Sequence, residues 1–156
     1  MKFIVLAVVI ALAVFYFNRN SNNRKLAVEN TATAKAFLSK NKATEGVVET
    51  ASGLQYQVLQ KGDGEAHPTP TSTVKVHYHG TLIDGTVFDS SVDRGQPISF
   101  PLNQVIAGWT EGVQLMVVGD KFKFFIPADL AYGDNATGSI TPGSLLIFEV
   151  ELLDIQ

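Results

Sequence analysis

From Glu49 onward the pattern turns to period two, with runs in which apolar residues recur at every second position, and this restricts those runs to half-buried strands. Leu54, Tyr56 and Val58 alternate with Gln55, Gln57 and Leu59, and Val74, Val76 and Tyr78 alternate with Lys75, His77 and His79. Phe122, Phe124 and Ile126 stand against Lys121, Lys123 and Phe125, closed by Pro127. The last run sets Leu146, Phe148, Val150 and Leu152 against Ile147, Glu149 and Glu151. Breaks fall at Lys61, Gly62, Asp63 and Gly64 and again from His67 to Pro70. Asp84 and Gly85 between apolar segments predict a hairpin. One helical candidate lies among the strands, from Ala107 to Met116, with Trp109, Val113 and Met116 at i, i+4 and i+7. Gly108 and Gly112 each weaken it by about 1 kcal/mol relative to Ala. Tertiary packing must therefore hold this helix, with its Trp109 face laid on the sheet. Antiparallel strands with one short helix make an α+β domain over residues 49–156.

Upstream the pattern differs. Phe3 to Phe17 is an uninterrupted, uncharged run of fifteen residues. As a helix it rises about 22 Å, short of the roughly 30 Å of a bilayer core unless Asn18 and its neighbours sit in the interface. A secretory signal has an apolar region of this length, and Ala11, Leu12 and Ala13 have the small-x-small form of a cleavage site. The residues after Ala13 remain apolar, however, and the basic leader is only Lys2 and the amine, which favours an uncleaved anchor over residues 1–18. Lys2 on one side faces Arg19, Arg24 and Lys25 on the other, so charge does not orient the segment. Residues 19–48 read as a polar linker, Asn18 to Lys25, followed by a short helical stem. In that stem Ala34, Phe37, Leu38 and Asn41 fall at helical spacing.

Composition removes whole classes of function. The 156-residue chain has no cysteine, so disulfides, thiolate metal sites and cysteine nucleophiles are excluded. A net charge of -3 without a Lys/Arg run offers no phosphate-binding surface, and no nucleic-acid partner is expected. Phosphate loops, GxSxG elbows and HExxH helices do not occur. His77 and His79 share a strand face and read better as solvated side chains than as half a metal site. No cofactor or metal is expected. What remains is a density of aromatic residues near turns, which ordinarily just fill a core.

Their order carries more. VKVHYHGTLIDGTVFDSS, then FPLNQVIAGWTEGVQLMVVGDKFKFFIP, then LAYG and LLIFEVELLDI closely resemble the FKBP-type peptidyl-prolyl cis/trans isomerases, from about Gly53 to Ile155. The lead-in TASGLQYQVL resembles the bacterial macrophage-infectivity-potentiator-like branch, without most of that branch's N-terminal dimerisation region. A monomer is expected. The resemblance implies a five-stranded twisted antiparallel sheet wrapped around one short helix, preceded by the hydrophobic helix and its stem. It implies an apolar pocket of Tyr78, Phe88, Asp89, Arg94, Phe100, Val105, Ile106, Trp109, Tyr132 and Phe148, with Ile140 on the covering loop and Trp109 as the floor. That loop, Asp134 to Gly143, departs from the best-known members in length and sequence, with Ser139 where many have an aliphatic residue.

The implied reaction is rotation about X-Pro bonds of unfolded or partly folded chains, with macrolides as inhibitors of the same pocket. The Ile106 N–H and the Tyr132 hydroxyl would hold substrate carbonyls, and Asp89 would meet the rotating carbonyl or orient the pocket. Because the reaction needs no proton transfer, a positioning role for Asp89 is favoured over acid/base work, and an ion pair of Asp89 with Arg94 that is merely structural is the plainer alternative. A module that binds proline-containing segments without turnover is the competing function. The signal-like N-terminus and the resemblance together point to a bacterial inner membrane, with the domain on the periplasmic side.

Overall fold

The computed structural model describes residues 2–156, with side chains from Val5 onward. Its first element, α1 (Lys2–Asn41), is one uninterrupted helix. The stretch from Asn18 to Lys25, read above as a linker, is helical. It contains neither Gly nor Pro. Its Asn, Ser and Arg residues each disfavour helix by at most about 0.7 kcal/mol, and strong helix-forming sequence on both sides propagates through it. Polarity alone did not mark a break.

The globular part begins with a hairpin of β1 (Val47–Glu49) and β2 (Gln55–Gln60). After the Gly-rich break come β3 (Thr73–Thr81), β4 (Val87–Ser90), the single turn α2 (Ser91–Arg94) and β5 (Ile98–Pro101). The helix α3 (Ala107–Val113) is followed by β6 (Lys121–Ile126) and β7 (Leu146–Ile155). All pairings are antiparallel, in the order β1-β2-β6-β7-β3-β4, with β5 also on β3. The sheet thus has seven strands rather than five. β4 and β5 are two short pieces along successive halves of β3, separated by α2, and β1 adds a row at the far edge.

Each face of the sheet has its own cover. The alternating set Val74, Val76, Phe122, Phe124, Val150 and Leu152 forms the core with Trp109, Val113 and Met116 from the α3 region. Gly108 and Gly112 are the contact stripe of α3. A Cβ on Gly108 would lie 2.5 Å from Ile126 Cγ2, and one on Gly112 would lie 2.6 Å from Phe124 Cε1. The two residues that weaken the helix are the ones that let its backbone reach β6, leaving Trp109 free to face β3, β5 and β7.

The second face carries Phe125 and Gln55, neighbours in register and both buried. α1 covers them. Phe37 packs 5.9 Å from Phe125, Asn41 Nδ2 donates to Gln55 Oε1 at 2.9 Å, and Gln55 Nε2 donates to the Leu38 carbonyl at 2.9 Å. Ala34 and Ala27 continue the same stripe and are buried. The thin face read from the sequence is therefore the docking face of the stem. From Val5 to Phe17, in contrast, every large apolar side chain of α1 is exposed.

Candidate active site

The aromatic residues converge on Trp109, which α3 holds against the core face of the sheet. Tyr78, Phe148 and Phe100 stand edge-on to the indole at centroid distances of 5.3, 5.3 and 5.6 Å and interplanar angles of 87°, 81° and 84°. Phe88 meets Phe148 at 5.2 Å and 89°. Edge-to-face contact brings a positive ring edge to a negative ring face, so these pairs fix orientation as well as bury area. Gly80 makes the Phe88–Phe148 contact feasible, since a Cβ there would lie 2.7 Å from Phe88 Cζ and 2.9 Å from Phe148 Cε1. Trp109 is buried, and its Nε1 has no hydrogen-bond partner among the described residues.

Above this floor lies a cavity of about 730 Å³, lined by Tyr78, Phe88, Asp89, Phe100, Val105, Ile106, Trp109, Tyr132, Ile140 and Phe148. Sites for small ligands commonly run about 300–1,000 Å³, and this cavity falls within that range. Gln104, Ala131, Thr137, Gly138 and Ser139 complete the lining. Gln104 and Ala131 carry no periodic or motif signal of their own. Thr137, Gly138 and Ser139 belong to the covering loop, whose divergent length hides their alignment. Gly80 was legible in principle, because a glycine inside a strand marks close approach of a neighbour.

Arg94 is the one predicted site residue that does not line the cavity. The turn α2 places it behind Asp89: Ser90 Oγ accepts from the Asp93 N–H at 3.1 Å at one end, and Gly95 closes the other with φ of 72°. From there Arg94 Nη1 donates to Asp89 Oδ1, and Nη2 donates to the Tyr78 hydroxyl at 3.1 Å. The Tyr78 hydroxyl donates in turn to Asp89 Oδ2 at 2.5 Å. Burial alone would push the Asp89 carboxyl up, but the hydrogen bonds from Tyr78 and Arg94 and the guanidinium charge outweigh it and hold the group below the usual carboxylate range. Burial, then the bond to Asp89, raises the Tyr78 phenol above its ordinary value. Near neutrality the cavity rim therefore carries an ionised carboxylate with both oxygens engaged and an un-ionised phenol.

Two further elements complete the rim. Ile106 stands immediately before α3, and its carbonyl accepts from the Trp109 and Thr110 N–H groups at 3.0 and 3.1 Å. Tyr132 follows the 3-10 turn Ala128–Leu130 and is partly exposed. The loop beyond it is closed by Gly143 N donating to the Gly133 carbonyl at 2.9 Å and by reciprocal 2.9 Å bonds between Thr137 and Ile140. The two strand histidines are tied to serines of the β4–α2 corner, His77 Nδ1 to Ser91 Oγ at 2.7 Å and His79 Nδ1 to Ser90 Oγ at 2.8 Å.

An antiparallel sheet curled over one short helix, with a tryptophan-floored aromatic cavity between them, defines an FKBP-like α+β domain. A family model described as FKBP-type peptidyl-prolyl cis-trans isomerase matches residues 64–153, and the domain amino terminal to it is matched over residues 9–58, across α1, β1 and part of β2. The chain belongs to the FKBP-type peptidyl-prolyl cis-trans isomerase family. It is 61% identical over 132 residues to the FKBP-type isomerase FkpA of Aeromonas hydrophila, covering 85% of this chain and 49% of that relative. It is 48% identical over 139 residues to the outer membrane protein MIP of Legionella longbeachae, covering 88% of this chain and 59% of that protein. The crystal structure of FkpA from Escherichia coli superposes with a TM-score of 0.86 at 43% identity, covering 96% of this chain and 71% of that one. The chain spans about half the length of the curated relatives it matches.

Proposed function

We propose that the chain accelerates cis/trans rotation of X-Pro peptide bonds in folding polypeptides. The observation that carries this reading is the apolar cavity walled by Tyr78, Phe88, Phe100 and Phe148 around Trp109, with both oxygens of its one carboxylate, Asp89, hydrogen-bonded. Peptide C–N rotation is opposed by a barrier of about 18–20 kcal/mol from partial double-bond character, while cis and trans X-Pro differ by only about 0.5–1 kcal/mol. No bond has to break. A catalyst need only bind the twisted amide better than either planar form. Twisting withdraws the nitrogen lone pair from resonance and reduces charge separation, and an aromatic, water-poor cavity favours that less polar state.

Hydrogen bonds select the geometry. The Ile106 N–H precedes the first turn of α3, where the helix offers it no carbonyl, and so is available to a substrate carbonyl. The Tyr132 hydroxyl at the cavity mouth serves a second. Near neutrality Asp89 has no proton to give, and with its pKa held low and both oxygens engaged it is a weak base, which supports a role in orienting Tyr78 and in presenting negative charge to the rotating carbonyl carbon rather than in proton transfer. Macrolide rings would compete for the same cavity. The test is a protease-coupled assay with a proline-containing tetrapeptide: acceleration above the uncatalysed rate supports the reading. Peptide binding without acceleration would make the chain a holding module instead.

The helix α1 is long and apolar enough to cross a membrane and its apolar end is exposed, which supports anchorage of the domain to a bacterial inner membrane, with the domain facing the periplasm. Unfolded or partly folded exported chains would then be the substrates.

A further inference from the structure

The loop that roofs the cavity is fastened to the stem helix. Asn30 Nδ2, on the docking face of α1, donates to the Pro142 carbonyl at 2.8 Å and to Thr141 Oγ1 at 3.0 Å. The next residue approaches closer still: a Cβ on Gly143 would lie 2.6 Å from the Ala27 carbonyl oxygen and 3.0 Å from Thr31 Oγ1. Gly143 has φ of 73°, a conformation that glycine adopts without strain. Its N–H closes the loop onto Gly133, so both feet of the roof meet where α1 holds one of them. Ile140, which lines the cavity, is one residue from Thr141.

From this geometry we propose that Asn30 is a positioning residue for peptide binding, acting through the roof. α1 fixes the foot of the loop at Thr141, Pro142 and Gly143, and thereby sets the height of Thr137, Ser139 and Ile140 over the Trp109 floor. A loop left free at that foot must be ordered each time a peptide enters, and the lost freedom weakens binding. The walls that face the twisted amide, Phe88 and Trp109, are untouched by this tether. Affinity should therefore change while turnover does not. The inference rests on the isomerase reading for its kinetic form, but its binding form is independent of turnover.

The test uses the full chain in detergent micelles, with Asn30→Leu, a side chain of similar length that removes the amide and favours helix more than Asn does. The chain's single tryptophan is the cavity floor, so its fluorescence reports binding of a proline tetrapeptide directly. Asn30→Leu is expected to raise Kd and KM about fivefold with kcat within twofold, and to speed hydrogen exchange at the Ile140 and Gly143 amides about tenfold while β6 and β7 amides are unchanged. Asn30→Gln, which keeps the amide, should recover part of the affinity, and Val28→Ala on the exposed side of α1 should change nothing. Unchanged loop exchange, or faster exchange with Kd unaltered, overturns the proposal. So does a fall in kcat and melting temperature at constant KM, the mark of a merely structural residue. A wild-type chain that binds the peptide without turning it over would sink the isomerase reading, and weaker binding by Asn30→Leu would still uphold the tether.

Discussion

At Asp89, two hydrogen bonds and a neighbouring guanidinium keep a carboxylate ionised at the edge of an aromatic cavity. Its folded-state pKa lies below the unfolded value of about 3.9. The stabilisation is therefore complete above that value and is lost as pH falls through the lower folded pKa. Between pH 6 and 8 the melting temperature should not respond to this group. Below about pH 4, the wild type should lose more of its melting temperature than Asp89→Asn does, and equal acid sensitivity of the two would count against the assignment. The effect should be small, because both side chains are about half exposed and water screens the pair. At this scale the sequence was informative where a motif fixed the alignment, as with Tyr78, Phe88, Asp89 and Trp109. It was uninformative about direction: spacing places Arg94 five residues after Asp89 but does not say that the α2 turn aims it at the back of the carboxylate.

At the scale of elements, α3 shows propensity yielding to packing. Gly112→Ala should favour the helix by about 1 kcal/mol. It would also put a Cβ 2.6 Å from Phe124 Cε1, and Phe124 is fully buried and cannot withdraw. Overpacking of this kind typically destabilises by about 1–3 kcal/mol, so the clash should win and the melting temperature should fall by roughly 3–8 °C. A rise would show that β6 yields. The period-two runs made β2, β3, β6 and β7 legible, and Asp84 with Gly85 marked the β3–β4 hairpin. Two things were not legible. Phe125 and Gln55 sit out of phase with their strands' core pattern because α1 covers the sheet's second face, a tertiary fact that no single strand records. The continuity of α1 through Asn18 to Lys25 was hidden by polar composition, which resembles a loop although no residue there breaks a helix.

Over the whole molecule, α1 joins an apolar end to the globular domain without a hinge of Gly or Pro. The buried Ala27 lies ten positions beyond Phe17, the last of the apolar run, about 15 Å of helix rise. A domain anchored by residues 3–17 would thus be held rigidly close to the bilayer rather than on a flexible leash. The full chain should sediment with membranes and resist carbonate extraction. Recovery of a soluble chain starting at Val14 would contradict that. The central claim, catalysis by an apolar, geometrically selective cavity without proton transfer, is tested most directly by the pH profile of kcat/KM for Phe88→Ala and Asp89→Asn in the proline-peptide assay, with folding of both variants checked by circular dichroism. The account predicts a profile nearly flat from pH 6 to 8, a loss of about 10²-fold for Phe88→Ala and a loss on the order of tenfold for Asp89→Asn. A steep profile that disappears in Asp89→Asn, with Phe88→Ala nearly as active as the wild type, would contradict it.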